Sequence, residues 1–212
     1  MSRETQSPVV LVTGAARRIG AEIARHLHAI NYNVVVHYQN SSREAEALCS
    51  ELNTQRQRSA HLIQASLNDL TQVRNMATEA IAHWGRMDAL VNNASSFYPT
   101  PLDTASENQW NDLLGSNLQG PYFLSQALSQ ALMASKGAIV NISDIHARQP
   151  LANHSIYCIA KAGNAMLTKT MAKELAPLVR VNGIAPGAIL WPETEVTAQT
   201  QQNQADVIQK IP

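Results

Sequence analysis

The apolar positions of this chain fall into short, dense runs separated by longer stretches where they recur at wider spacing. Residues 8–13 are a β-branched apolar run, the pattern of a strand buried on both faces. Residues 21–30 then place Ile23, Leu27 and Ile30 at helical spacing. A second dense run covers 33–37, and 42–55 is polar and helix-favouring with Ser42 as its N-cap. Further strands are predicted at 60–65, 87–92, 137–143 and 179–185, and helices at 70–84, 109–133 and 155–175. The long helix over 109–133 is expected to kink at Pro121, which has no N–H to give. Six strands alternating with helices predict one α/β domain over residues 1–212, a doubly wound parallel sheet with helices on both faces. Residues 193–209, rich in Gln and Thr, carry no strand signal and are expected to form a loop and a helix or to be mobile.

Composition narrows the function classes. Hydrophobic residues make up 45% of the chain and charged residues 15%, well below the usual quarter, so a substantial core is available and disorder is not expected. Sixteen basic residues balance sixteen acidic ones, which argues against nucleic acid or a membrane surface as partner. No run approaches the roughly 18 apolar residues of a membrane span. The polar start, MSRETQSP, lacks a signal-peptide core, so the expected location is the cytoplasm. Cys49 and Cys158 are far apart, and the seven histidines form no ligand pattern, so no metal is expected. His146 and His154, near the chemistry described next, read as solvent-facing.

Four segments carry chemistry. Thr13-Gly14-Ala15-Ala16-Arg17-Arg18-Ile19-Gly20 lies between a predicted strand and a predicted helix, where glycines and free helix amides admit a phosphate. The second strand ends in His37-Tyr38-Gln39-Asn40-Ser41-Ser42-Arg43. No carboxylate stands there to hold a ribose 2′-hydroxyl, and several donors could hold a 2′-phosphate, which favours NADPH over NADH. Asn92-Asn93-Ala94-Ser95 follows the fourth strand; asparagines at such a place are often only turn formers. Tyr157 and Lys161 lie four apart on one helix face, where an ammonium near a phenol favours the phenolate and lowers the tyrosine pKa. Such a pair also occurs on ordinary surface helices.

Taken together, from about residue 8 to residue 192, these segments resemble the short-chain dehydrogenase/reductase family. The first turn is similar to the family's TGxxxGxG, with Arg18 for the middle glycine. The Asn92–Ser95 segment resembles its NNAG, with Ser95 for glycine. Asn117, the strand ending at Ser143-Asp144, the Tyr157/Lys161 pair and the run Val181-Asn182-Gly183-Ile184-Ala185-Pro186-Gly187 follow in the family's order and spacing. The resemblance implies a Rossmann-type fold and a reductase that transfers hydride. It implies a cofactor site built from Gly14, Arg17, Arg18, Ile19, Gly20, His37, Tyr38, Asn40, Ser41, Ser66, Leu67, Asn93, Ala94, Ser95, Tyr157, Lys161, Pro186 and Gly187. It also implies that Tyr157 supplies or relays the proton, that Lys161 binds the nicotinamide ribose, and that Asn117 holds a relay water.

The departures narrow the reading. The family's catalytic serine stands thirteen residues before the tyrosine; here that position is Asp144, and Ser143, one residue earlier, points to the other face of its strand. Asp144, Arg18 and the run from Asn93 to Leu102 resemble the pteridine reductase branch. By that resemblance Phe97 stacks on a pterin, Ser95 and Arg18 touch both cofactor and substrate, Asp144 and Tyr157 face the pterin edge, and Asp144 assists protonation. Trp191, after Pro186-Gly187, is placed either to close the far side of the pocket or simply to pack in the core. A flat heteroaromatic suits a π-face, and its amidine-like edge offers donors to a carboxylate. The expected activity is NADPH-dependent reduction of dihydropterins, and of folates besides. A carbonyl or 3-oxoacyl reductase and a non-catalytic NADPH-binding regulatory protein are the alternatives. The family usually runs some thirty residues further to a seventh strand, so the chain reads as short at its C-terminal strand, and as a homotetramer when that strand is present.

Overall fold

The computed structural model describes residues 7–187. Six parallel strands lie in one sheet: β1 (Val9–Val12), β2 (Asn33–Tyr38), β3 (Ala60–Gln64), β4 (Ala89–Asn92), β5 (Ala138–Ile142) and β6 (Arg180–Ile184), in spatial order β3-β2-β1-β4-β5-β6. The crossovers are α1 (Arg18–Ala29), α2 (Ser42–Gln55), α3 (Leu70–Trp84), α4 (Glu107–Leu114), α5 (Gly120–Ser135) and α6 (Ser155–Glu174). The α/β doubly wound sheet predicted from the run pattern is thus observed.

The β-branched runs explain why β1 is central. All four of its residues are fully buried, because side chains alternate between two covered faces. Val9 and Leu11 enter a layer with Val73 and Met76 of α3, Leu124 and Leu128 of α5, and Leu167 of α6. Val10 and Val12 enter the opposite layer, with Ala21 and Ala24 of α1 and Leu48 and Leu52 of α2. Val10 pairs beside Val34 of β2 and Ala89 of β4, so the sheet grows outward from β1 in both directions. The connections after β1 and β4 leave towards opposite sides. A crevice therefore opens at the carboxyl ends of these two strands, the usual ligand position in such sheets.

Two expectations need correction. Ser42 is the first residue of α2 rather than its cap; Ser41 takes the cap position, and its side chain makes no capping bond. The predicted long helix over 109–133 keeps αR backbone throughout but is interrupted by a π-type turn, Gly115–Gln119, between α4 and α5. Pro121 lies just past this turn, in the first turn of α5, where the α-helical bond pattern is already broken. In an unbroken α-helix the N–H of residue 121 would bond the carbonyl of Asn117; proline cannot supply it. The Gly120 N–H instead reaches back five residues to the Gly115 carbonyl. Gly120 and Gly115 are required here for a second reason: a Cβ on the first would press on Leu67, and on the second would collide with Asn68.

Candidate active site

The cleft at the switch point has a volume of about 610 Å³ and is lined by the β1–α1 turn, the end of β2 and the segment after β4. Its floor is a network that ties these pieces together. Gly14 adopts a left-handed φ of +63°, and a Cβ there would press against Ala94. Gly20 is packed so closely that a Cβ would collide with the Gly14 carbonyl and stand 2.6 Å from Asn93 Nδ2. Arg18, in place of the family's middle glycine, keeps the glycine-like φ of +53°, a conformation that costs a non-glycine residue on the order of 1 kcal/mol. Asn93 Nδ2 donates to the carbonyls of Thr13 (2.8 Å) and Gly14 (3.1 Å). Thr13 Oγ1 accepts from the amides of Asn93 (3.0 Å) and Ala94 (3.1 Å). Thr13 is a residue that the sequence reading missed, although its place before Gly14 was in view.

His37 lines the cleft as expected, but its ring nitrogens are already engaged. It is buried, Gly14 N–H donates to its Nδ1 at 3.1 Å, and its Nε2 faces the Ala65 carbonyl at 3.1 Å. With Nδ1 accepting, Nε2 carries the proton and donates to Ala65. Both nitrogens are therefore taken, and the ring braces the glycine turn instead of offering a donor to a phosphate. Burial pulls its pKa down to about 4, so it is neutral near pH 7. Tyr38, Asn40 and Ser41 do line the cleft, as do Arg17, Arg18, Ile19, Leu67, Ala94 and Ser95. Arg17 also has Glu44 of α2 at 3.9 Å, a carboxylate one residue past the 37–43 segment. Ser66 sits behind the rim, accepting from the Asn68 amide at 3.3 Å. Pro186 and Gly187 follow β6 and are not among the cleft's lining residues. Trp191 lies outside the described residues.

Deeper in, Tyr157 is almost fully buried and donates its hydroxyl proton to Asp144 Oδ2 at 2.6 Å. Asp144 Oδ1 accepts the His146 amide at 2.9 Å, capping a short 3₁₀ turn. The carboxylate is thus pinned at both oxygens. Ser143 and Asp144 both line a second hollow of about 500 Å³, with Arg148, Thr168 and Lys169, and neither is among the residues of the cleft that Tyr157 lines. The expected separation of Ser143 from Asp144 by strand alternation is not seen, because β5 ends at Ile142 and both residues lie beyond it.

Lys161 corrects a second expectation. Its Nζ donates to the Ile142 carbonyl at 3.0 Å and stands 5.7 Å from the centre of the Tyr157 ring. Burial lowers its pKa to about 8, against the opposing pull of Asp144. Tyr157 is pushed well above the usual phenol range, first by burial and then by its bond to Asp144, with Ser95 opposing weakly. The tyrosine here is a neutral acid that keeps its proton, because burial and then the Asp144 carboxylate favour the phenol.

Asn117 holds the loop rather than showing its side chain to the cleft. Its Nδ2 donates to the carbonyls of Ser96 (2.9 Å) and Leu113 (3.0 Å), and its Oδ1 accepts from Ser95 Oγ (2.7 Å). Its main-chain carbonyl, which Pro121 cannot bond, accepts from Asn164 Nδ2 at 3.1 Å. Tyr98, next in the same loop, donates to Asp112 Oδ2 at 2.8 Å, and its pKa is pushed up to about 12 by burial and that carboxylate. Phe97 remains half exposed and lines the cleft. His154 is not simply solvent-facing: its ring stacks on Phe97.

These features fit a nicotinamide dinucleotide. The amides in the first turn of a helix have no intrahelical acceptors, and Arg18, Ile19 and Gly20 at the start of α1 all line the cleft. Its volume is in the range of cofactor pockets, roughly 300–1,000 Å³. Among the described residues no group of three or more His, Cys, Asp or Glu could hold a metal ion, and no helix is long and apolar enough to cross a membrane.

Comparison with known proteins agrees with this architecture. The family model for short chain dehydrogenases matches residues 8–205. The chain is 37% identical over 232 aligned positions to pteridine reductase 1 of Leishmania tarentolae, covering 91% of this chain and 80% of the relative. It is 36% identical over 196 positions to the 3-oxoacyl-[acyl-carrier-protein] reductase of Staphylococcus aureus, covering 92% of this chain and 79% of that protein. The glycine turn over the switch point, the buried tyrosine and lysine on α6, and these matches along nearly the whole chain place it in one family: the protein is an oxidoreductase of the short-chain dehydrogenase/reductase family.

Proposed function

We propose that the protein reduces dihydropterins with NADPH. The observation that carries the reading is the Asp144–Tyr157 pair, a carboxylate and a proton-bearing phenol held 2.6 Å apart. A developing alkoxide beside that carboxylate would be repelled, whereas the amidine-like edge of a pterin offers it N–H donors. Phe97 adds an aromatic face in the cleft that Tyr157 lines. NADPH supplies hydride when bound; Gly14, Arg18, Ile19, Gly20 and Ala94 would hold its phosphates and Lys161 its ribose. Tyr157 keeps its proton until the substrate needs it, because burial and Asp144 both favour the phenol. Asp144 orients the substrate and assists protonation; the proton passes from Tyr157 to the substrate, and solvent replaces it on Tyr157. Asn117 acts through Ser95 and Ser96, fixing the loop in front of Tyr157. The preference for NADPH rests on the neutral donors Tyr38, Asn40 and Ser41 and on Arg17 and Arg18 around the cofactor end of the cleft.

The 36% identity to a 3-oxoacyl reductase supports a second reading, reduction of a ketone. Asp144→Ser separates the two. Loss of one charge-assisted hydrogen bond of about 1.5–3 kcal/mol should lower dihydrobiopterin turnover by on the order of tenfold or more. A ketone reductase would instead gain, or at least not lose, rate on a 3-oxoacyl thioester. Steady-state rates of both proteins on both substrates decide it, and full pterin turnover by the serine variant sinks the pterin mechanism.

A further inference from the structure

His154 lies outside every role assigned above, yet it touches Phe97, an exposed aromatic side chain that lines the cleft. The Phe97 and His154 rings are 4.8 Å apart and nearly parallel, at 14°. The Phe97 and Tyr157 rings meet edge to face, also at 4.8 Å but at 75°. Phe97 lines the cleft and His154 does not, so His154 packs on Phe97 from outside the cleft.

The backing ring is itself fixed. His154 occupies the N-cap position of α6, three residues before Tyr157, so the helix start sets its distance from the phenol. Its Nδ1 is 2.8 Å from the Ala152 carbonyl, which orients the ring. The neighbouring Thr100 is buried and bridges to His154, with the Thr100 amide donating to Asn153 at 2.6 Å. Phe97 is thus held from behind by α6 while its loop is held at Ser95, Ser96 and Tyr98. Without a backing ring, a half-exposed phenylalanine would have to be ordered each time a ligand arrived.

We propose that His154 is a positioning residue that sets the tilt of Phe97 and so favours flat heteroaromatic substrates over flexible ones. The inference rests on the pterin reading. It acts on binding, through Phe97, and leaves the proton chemistry of Tyr157 alone.

The test is a double-mutant cycle on the intact protein with saturating NADPH. His154→Ala should raise the KM for dihydrobiopterin about three- to tenfold, the scale of an aromatic pair, with kcat changed less than about twofold. The dissociation constant for NADPH should stay the same. His154→Phe, which keeps a flat ring, should restore KM to within about twofold. In a Phe97→Ala background, His154→Ala should add nothing, since its effect passes through the missing ring. An unchanged KM, a loss confined to kcat, or the same loss in both backgrounds overturns the proposal while leaving the pterin reading in place. If the wild-type protein neither binds nor turns over dihydrobiopterin, the pterin reading fails and the role of His154 fails with it.

Discussion

At the scale of single residues, burial sets the direction in which each titratable group of the site shifts, and the nearest charge or dipole adds to it or opposes it. Tyr157 meets a carboxylate, so it stays protonated through the range where a free phenol would ionise. An ultraviolet difference titration against Tyr157→Phe should show no phenolate appearing at about pH 9, and Asp144→Asn should bring the ionisation down. An early phenolate in the wild type would mean that Lys161, not Asp144, dominates. His37 offers a pH test of the cofactor turn. Its folded pKa is about 4, against about 6.5 for an unfolded histidine. Between those values the unfolded chain binds the extra proton, so stability is complete above about pH 6.5 and falls as the pH drops, by roughly 3 kcal/mol at pH 4. His28 is lowered too and contributes in the same direction. Urea unfolding at pH 7, 6 and 5 should show a shallower slope for His37→Gln; an identical slope would mean that His37 is not the group responsible. Gly20→Ala should weaken NADPH binding at least tenfold, because the new methyl meets a backbone carbonyl that cannot swing away.

At the scale of elements, the join between α4 and α5 shows how one residue can reroute a helix. Pro121 removes the N–H that would close on Asn117, the chain widens to a π-type turn, and the released carbonyl is taken by Asn164 of α6. The wide turn also gives Asn117 the position from which its amide grips Ser95 and Ser96. Pro121→Ala returns a competing donor. Thermal unfolding should shift little, since a helix interior favours alanine, while kcat/KM should fall by about tenfold as the loop loosens. Unchanged kinetics would show that Asn164 holds the carbonyl regardless. The sequence displayed both residues and their spacing, but a kinked helix and two helices with a wide join share the same periodicity. Which one forms depends on an acceptor's partner 47 positions away.

At the scale of the whole molecule, the cleft exists because two connections diverge from neighbouring strands. The residues that line it come from the β1–α1 turn, the end of β2, the segment after β4 and α6. Ligand binding should therefore join these elements. A single-site ligand at a hundred times its dissociation constant adds about 2.7 kcal/mol to unfolding. NADPH should raise the melting temperature accordingly, and NADH at equal concentration should raise it less. Equal shifts, measured at one salt concentration, would remove the preference for the 2′-phosphate. The core beneath is independent of this. Leu11 is fully buried in the layer under α3, α5 and α6, and Leu11→Ala should cost about 2–5 kcal/mol with or without cofactor.

The order of strands and helices was determined by the sequence alone, because a strand covered on both faces must be apolar without interruption and a helix must not be. So were the glycine turn and the Tyr157/Lys161 pair, since each follows from spacing along one element. What the tertiary structure decided is where the hydrogen bonds go. His37 looked like a phosphate donor and is a brace; Lys161 looked like the activator of Tyr157 and is held by Ile142; His154 looked solvent-facing and backs Phe97. In each case the side chain's role is set by partners distant in sequence or on a different element, and a buried polar group takes whichever partner the packing brings within reach. Residue identity names what a group can donate or accept; only the fold says to whom.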